Sequence, residues 1–147
     1  MMKIVFICDG NTCRSPMAEG IFKKMVNDID VSSAGFSTYS GEEASQNTIL
    51  VCRKHDIDLT DFKTTNVKDV DFSDVDLVLT ATWANKEKIK RFFPDINAHT
   101  IKEYGGCYSD MDINDPSNGG LGDYVVCYFE IKQALEKILE THEELRW

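Results

Sequence analysis

Long apolar runs, close cysteine pairs and an excess of basic residues are all missing from this chain of 147 residues. No stretch approaches the ~18 uninterrupted apolar residues of a membrane span. The run Ile4 to Cys8 is too short for the apolar region of a signal peptide. There are 16 Lys and Arg against 25 Asp and Glu, a formal charge of -9. Nonspecific nucleic-acid binding runs on Lys and Arg contacts to phosphate, so no nucleic-acid partner is expected. A local anion site is still open to the chain, because backbone N–H groups can build one. The five cysteines, Cys8, Cys13, Cys52, Cys107 and Cys127, are odd in number and contain no closely spaced pair of the usual zinc-binding kind. That argues against a secreted disulfide framework and against a zinc site. Repeats, linkers and low-complexity tracts are also missing. The expectation is one soluble cytoplasmic domain over residues 1–147, monomeric, with no membrane partner, no metal and no cofactor. With 42% apolar residues the chain can bury one substantial core without staples.

The chain alternates between strand-like and helix-like segments. Lys3 to Cys8 reads as a buried strand, because Ile4, Val5, Phe6 and Ile7 form a continuous apolar run. Asp9 to Ser15 is a polar loop. Ser15 has the character of an N-cap and Pro16 of a first helical residue. Met17, Ile21 and Met25 then repeat at helical spacing. Val31 to Ala34 reads as a second strand ended by Gly35, and Phe36 to Glu43 as a loop in which Phe36 and Tyr39 could form walls. Ala44 to His55 reads as a helix, Asp76 to Ala81 as a third strand, Asn85 to Phe93 as a helix stopped by Pro94, and Ala98 to Ile101 as a last strand. Tyr104 to Gly122 is a long loop with five glycines and one Asp-Pro pair, and long loops in compact domains tend to be functional. Asp123 to His142 is a final helix with a stripe of Tyr124, Tyr128, Ile131, Leu135 and Ile138. The pattern predicts an α/β fold, a parallel sheet with helices on both faces. Ligands of such sheets bind beyond the carboxyl ends of the strands, where the loop after the first strand lies.

That loop reads Cys8-Asp9-Gly10-Asn11-Thr12-Cys13-Arg14-Ser15-Pro16. A thiol attacks as its thiolate, so its pKa must fall well below ~8.5. A helix N-terminus favours the anion through its dipole and uncapped N–H groups. Gly10 lets the backbone wrap closely, and Asn11 tolerates a left-handed turn. The loop amides could then face three phosphoryl oxygens as a nest. Arg14 offers a planar fork for two of them, and Ser15 could donate a hydrogen bond to the Cys8 sulfur. The bland alternative makes Cys8 a core thiol and Arg14 a surface charge, which leaves the strand–loop–helix setting unexplained.

The segment resembles the phosphate-binding loop of the low-molecular-weight protein tyrosine phosphatase family, and the likeness covers most of the chain. Met17-Ala18-Glu19, Ser33-Ala34-Gly35, Asp56-Ile57-Asp58-Leu59 and Asp76-Leu77-Val78-Leu79 match it in character and order. The resemblance implies a three-layer fold around a four-stranded parallel sheet and hydrolysis of phosphorylated proteins through a phosphocysteine intermediate. It makes Cys8 the nucleophile, Arg14 the oxyanion clamp, Ser15 the thiolate stabiliser and Asn11 the residue that shapes the loop. Asp9, Gly10, Thr12 and Cys13 complete the phosphate-binding loop. The family draws its general acid from a late Asp-Pro pair, and Asp115-Pro116 is the only such pair here. A turn-forming role is the alternative for Asp115. A reversible, redox-sensitive disulfide between Cys8 and Cys13 is also family-like, whereas Cys52 and Cys127 read as core fillers.

Three departures bear on substrate. No aromatic residue directly follows the Asp-Pro; Ser117 to Gly120 stand there, Tyr124 is further along, and Tyr104, Tyr39 or Trp83 could line the slot instead. A His that the family often carries is missing near Phe62. Thr12 occupies a position where tyrosine phosphatases usually have Ile or Leu, and here the loop resembles the bacterial protein-arginine phosphatase branch. A hydroxyl can meet a guanidinium, whereas an Ile suits a phenyl ring. Thr12 therefore points to phosphoarginine, with phosphotyrosine as the alternative. A thiol-dependent arsenate reductase shares this loop, but Thr80 to Trp83 hold no cysteine relay and Cys107 has no close partner. A non-catalytic phosphoprotein binder would be favoured by loss of Cys8, Arg14 or Asp115, and all three are present.

Overall fold

Four consecutive apolar residues can be buried in a strand only if both faces are covered. Ile4, Val5, Phe6 and Ile7 meet that condition. In the computed structural model, which describes residues 1–146, they form the middle of β1 (Met2–Cys8). Trp147, the last residue of the domain expected over 1–147, lies outside the described residues. The other strands are β2 (Ile29–Gly35), β3 (Leu77–Thr80) and β4 (Ala98–Thr100), paired in the order β2-β1-β3-β4 and parallel throughout. The helices are α1 (Arg14–Met25), α2 (Gln46–Arg53), α3 (Trp83–Phe92), the short α4 (Ile101–Tyr104) and α5 (Leu121–Thr141). The α/β fold expected from sequence is the one found.

Alternation along the strands sorts the core into two layers. Ile4, Phe6, Leu77 and Leu79 meet Met17, Ile21 and Phe22 of α1, Val51 of α2 and Ile131 and Leu135 of α5. Phe6 and Phe22 pack edge to face, centroids 5.6 Å apart. Val5, Ile7 and Val78 face the other way, against Ala98, Phe72 and Ile89 of α3. Among the described residues no helix is long and apolar enough to cross a membrane.

The sheet order positions the site. From β1 the chain runs to β2 on one side and later to β3 on the other, so the crevice beyond the carboxyl end of β1 is a topological switch point. The loop after Cys8 opens into that crevice.

Element boundaries differ from the sequence expectation in instructive ways. Ser15 is not the N-cap of the first helix. Cys13 takes that position without a side-chain cap, and the helix begins at Arg14. Ser15 turns its hydroxyl back into the loop instead. The second strand starts earlier, at Ile29, because it pairs with the whole of β1. α3 begins at Trp83, capped by Thr82. The last strand stops at Thr100, whose side chain caps α4, so Ile101 is helical. α5 begins at Leu121, with the Gly120 N–H donating to Asp123 Oδ2.

Candidate active site

Asn11 shapes the loop. It is fully buried and has φ of 54°, the left-handed turn expected of it. Gly10, expected to give the loop its freedom, keeps φ outside that region. The Thr65 N–H donates to Asn11 Oδ1 at 2.8 Å, which fixes the orientation of the carboxamide. Asn11 Nδ2 then donates to Ser15 Oγ at 2.8 Å and to Ser33 Oγ at 3.0 Å. The Ser33 hydroxyl in turn donates to Glu19 Oε1 at 2.7 Å. The loop lies directly on Gly35, where an added Cβ would stand 2.8 Å from both Asn11 N and Asp9 O.

This network aims a proton at Cys8. Ser15 Oγ accepts from Asn11, so its hydroxyl hydrogen is free to point at Cys8 Sγ, 2.9 Å away. The Asn11 N–H donates to the same sulfur at 3.2 Å. Cys8 itself is buried at the end of β1. Burial pushes its thiol up from the ordinary value, and this is the largest influence. The Ser15 side chain, the Ser15 and Asn11 backbone N–H groups and the Arg14 charge all pull the other way. The depressed thiol expected from sequence is therefore opposed by desolvation, and the net displacement is upward.

Arg14 joins the loop to the far side of the crevice. Its Nη1 donates to the Ile113 carbonyl at 2.9 Å, and Ile113 N–H is bonded to Ala81 O at the end of β3. Its Nη2 faces two carboxylates, Asp9 Oδ2 at 3.5 Å and Asp115 Oδ2 at 3.8 Å. The late loop thus brings Asp115 to the Cys8–Ser15 loop across a hundred residues of sequence. Asp115 also accepts from the Ser117 N–H at 3.0 Å, so the turn-forming and crevice-facing positions coexist.

Cys13 points at different partners from Cys8. Its Sγ lies 3.5 Å from Ser45 Oγ and 3.5 Å from Tyr124 Oη. Tyr124, read from sequence as lying further along, reaches the loop from behind and is buried there, its hydroxyl pushed up to about 12 chiefly by desolvation. Thr12 is partly buried. Its carbonyl is held by the Ser45 N–H and the Thr48 hydroxyl, while its own hydroxyl has only a 3.7 Å contact with Cys13 Sγ. Of the candidate slot residues, Tyr104 stacks on His142, centroids 3.9 Å apart, and is committed there. Phe36 packs against the second core layer beneath the Lys88 ammonium. Tyr39 and Trp83 remain exposed, and Lys86 lies over the Trp83 ring. A cleft of about 790 Å³ near Asp76 and Asn97 opens at the amino ends of β3 and β4, the edge opposite Cys8.

Sequence reasoning missed Ser33, Thr65 and Asn85. Asn85, at the start of α3, donates from Nδ2 to Asp9 Oδ1 at 2.9 Å. Ser33 could have been found: two serines inside a strand that pairs with the central strand need buried partners. Thr65 acts only through its backbone, and no residue preference marks it.

A family model described as low molecular weight phosphotyrosine protein phosphatase matches residues 3–146, and the chain belongs to that family. The enzyme class is thereby that of the protein phosphatases, which are hydrolases. The chain is 34% identical over 143 residues to the low molecular weight protein-tyrosine-phosphatase PtpB of Staphylococcus epidermidis, covering 97% of this chain and all of that one. The YwlE arginine phosphatase from Geobacillus stearothermophilus superposes with a TM-score of 0.90 at 28% identity, covering 98% of this chain and 94% of that one. The low molecular weight protein tyrosine phosphatase from T. tengcongensis gives 0.87 at 33% identity, over 97% and 100% of the two chains.

Ser15→Ala removes a hydrogen bond that favours the thiolate, so the Cys8 pKa should rise. A hydrogen bond to a charged group is worth ~1.5–3 kcal/mol, equivalent to about one to two pKa units. The pH dependence of iodoacetamide alkylation at Cys8, followed by peptide mass spectrometry, should move to higher pH by that amount. An unchanged profile would remove Ser15 as the donor.

Proposed function

We propose that the protein removes phosphoryl groups from protein side chains by way of a phosphocysteine, and that its substrate is phosphoarginine. The observation that carries the chemistry is the convergence on one crevice of Cys8, its aimed Ser15 proton, Arg14 and Asp115. In the first step the Cys8 thiolate attacks phosphorus. The Sγ–P bond forms, the bond to the leaving nitrogen or oxygen breaks, and Asp115 gives that atom its proton. Arg14 and the loop N–H groups hold the three equatorial oxygens. In the second step Asp115 takes a proton from water, the water oxygen attacks phosphorus, and Cys8 leaves as thiolate. This path asks for no metal or cofactor.

Cys8→Ser should abolish turnover while phosphate binding survives, since the cradle and Arg14 remain. Asp115→Asn should slow a phosphopeptide by ~10²–10⁴ but slow an activated aryl phosphate far less. Equal losses on both substrates would leave Asp115 a structural role only.

The preference for phosphoarginine rests on Thr12, whose hydroxyl lies within the nucleophile loop and makes one long contact there. Similarity to both tyrosine and arginine phosphatases accommodates either substrate. Thr12→Ile keeps the β-branch and removes the hydroxyl. It should lower kcat/KM for a phosphoarginine peptide and raise it for a phosphotyrosine peptide, each by ~1–3 kcal/mol, the usual scale for leaving a buried polar group unpaired. Wild-type preference for phosphotyrosine, or equal scaling of both activities, overturns the arginine assignment and leaves the phosphatase chemistry untouched.

The same thiolate would be open to oxidation, with Cys13 trapping the sulfenic acid as a disulfide. Cys13 must leave Ser45 and Tyr124 to do so. Cys13→Ser should keep turnover yet regain less activity when thiol is added after peroxide. Full recovery would exclude Cys13 from protection.

A further inference from the structure

Asp9 puts a negative charge at the mouth of a crevice that is to receive a phosphate. Arg14 Nη2 faces the carboxyl groups of both Asp9 and Asp115, so even while Asp115 holds the proton it is to give, Asp9 sets an anion against the one cation. The role proposed for Asp115 is proton transfer. Asp9 has none so far, although it directly follows Cys8 and its side chain is 60% exposed. A free carboxylate in that position repels a phosphoryl dianion, whatever group the phosphoryl is attached to.

Asp9 is nevertheless held there. Asn85 is only 2% exposed and donates from Nδ2 to Asp9 Oδ1. The other branch of the same amide, Oδ1, is buried with no hydrogen-bond partner among the described residues. Turning the amide over would set its oxygen against the carboxylate. The fold thus sustains an unpaired buried acceptor while one Asp9 oxygen is fixed and the other faces the crevice. Solvent would hold a freely rotating surface carboxylate without that penalty.

We propose that Asp9, positioned by Asn85, is a specificity residue that pairs with a positively charged leaving group next to the phosphorus. This deepens the phosphoarginine reading above and rests on it for the identity of that group. A guanidinium attached to phosphorus places N–H donors just outside the phosphoryl oxygens, on the rim where Asp9 stands. A phenolic ring at the same place offers a carboxylate nothing and leaves the repulsion uncompensated.

The test compares kcat/KM for a phosphoarginine peptide and a phosphotyrosine peptide of the same sequence, on wild type, Asp9→Asn, Asn85→Ala and the double variant, with inhibition by inorganic phosphate alongside. Asp9→Asn is expected to lower the arginine-to-tyrosine ratio about fivefold, the scale of a half-exposed charge pair, and to tighten phosphate inhibition. Asn85→Ala should lower the ratio less, and adding it to Asp9→Asn should lower it no further. A ratio that does not move, or weaker phosphate inhibition with equal losses on both peptides, overturns the proposal and makes Asp9 a support for Arg14 alone. The wild-type ratio separately judges the phosphoarginine reading. If wild type prefers phosphotyrosine but Asp9→Asn still lowers the ratio, the reading fails and the role of Asp9 stands.

Discussion

The carboxamide of Asn11 is the interaction on which the site depends. Three separate parts of the chain meet on it: Ser15 in α1, Ser33 in β2 and the backbone of Thr65. None of these contacts is exposed to solvent at Asn11 itself. A buried polar network rigidifies when every member is satisfied and becomes costly when one is lost. The left-handed turn at Asn11, the seating of the loop on Gly35 and the direction of the Ser15 proton are therefore one constraint. The sheet supplies the frame, since β1 and β2 pair through to Cys8 and Gly35.

Two other buried thiols give a contrast with Cys8. Cys52 and Cys127 are buried too, and burial pushes both up to about 12. For Cys52 burial is the one influence at work, whereas for Cys127 Arg14 lowers and nearby acids raise. Cys8 suffers the same desolvation, but Ser15, Asn11 and Arg14 all act on it in favour of the anion. Hydrogen-bond geometry, rather than exposure, is what sets Cys8 apart from these two thiols, although burial still carries its own thiol upward.

Much of this was legible in the sequence, and the remainder divides by range. Period and composition carry the four strands and the main helices, because burial on one or two faces leaves a local pattern. The loop residues and Asp115 were readable as a motif. Ser15 reads as a cap because Ser-Pro commonly starts a helix, and only the tertiary position of Cys8 turns its hydroxyl elsewhere. The Asn85–Asp9 bond and the Tyr124 contact to Cys13 span 76 and 111 residues of sequence. Nothing in either neighbourhood marks such a partner, since each depends on which loops the sheet order brings to one edge.

The acidic rim and the cationic depth of the crevice follow from a single requirement. Arg14 is 4% exposed, and a buried guanidinium must be paired. Ile113 supplies a neutral acceptor from the end of a segment tied to β3. Asp9 and Asp115 supply opposing charge while keeping about half or more of their own side-chain surface in water. Carboxylates in that position lower the desolvation cost that a fully buried ion pair would carry. They also leave Arg14 less committed than it would be to a buried partner, at distances of 3.5 and 3.8 Å rather than in a tight bidentate fork. A guanidinium held this loosely can exchange one set of oxygens for another without leaving a charge unpaired. The same pair of carboxyl groups that partners Arg14 therefore lines the rim that an incoming side chain meets first.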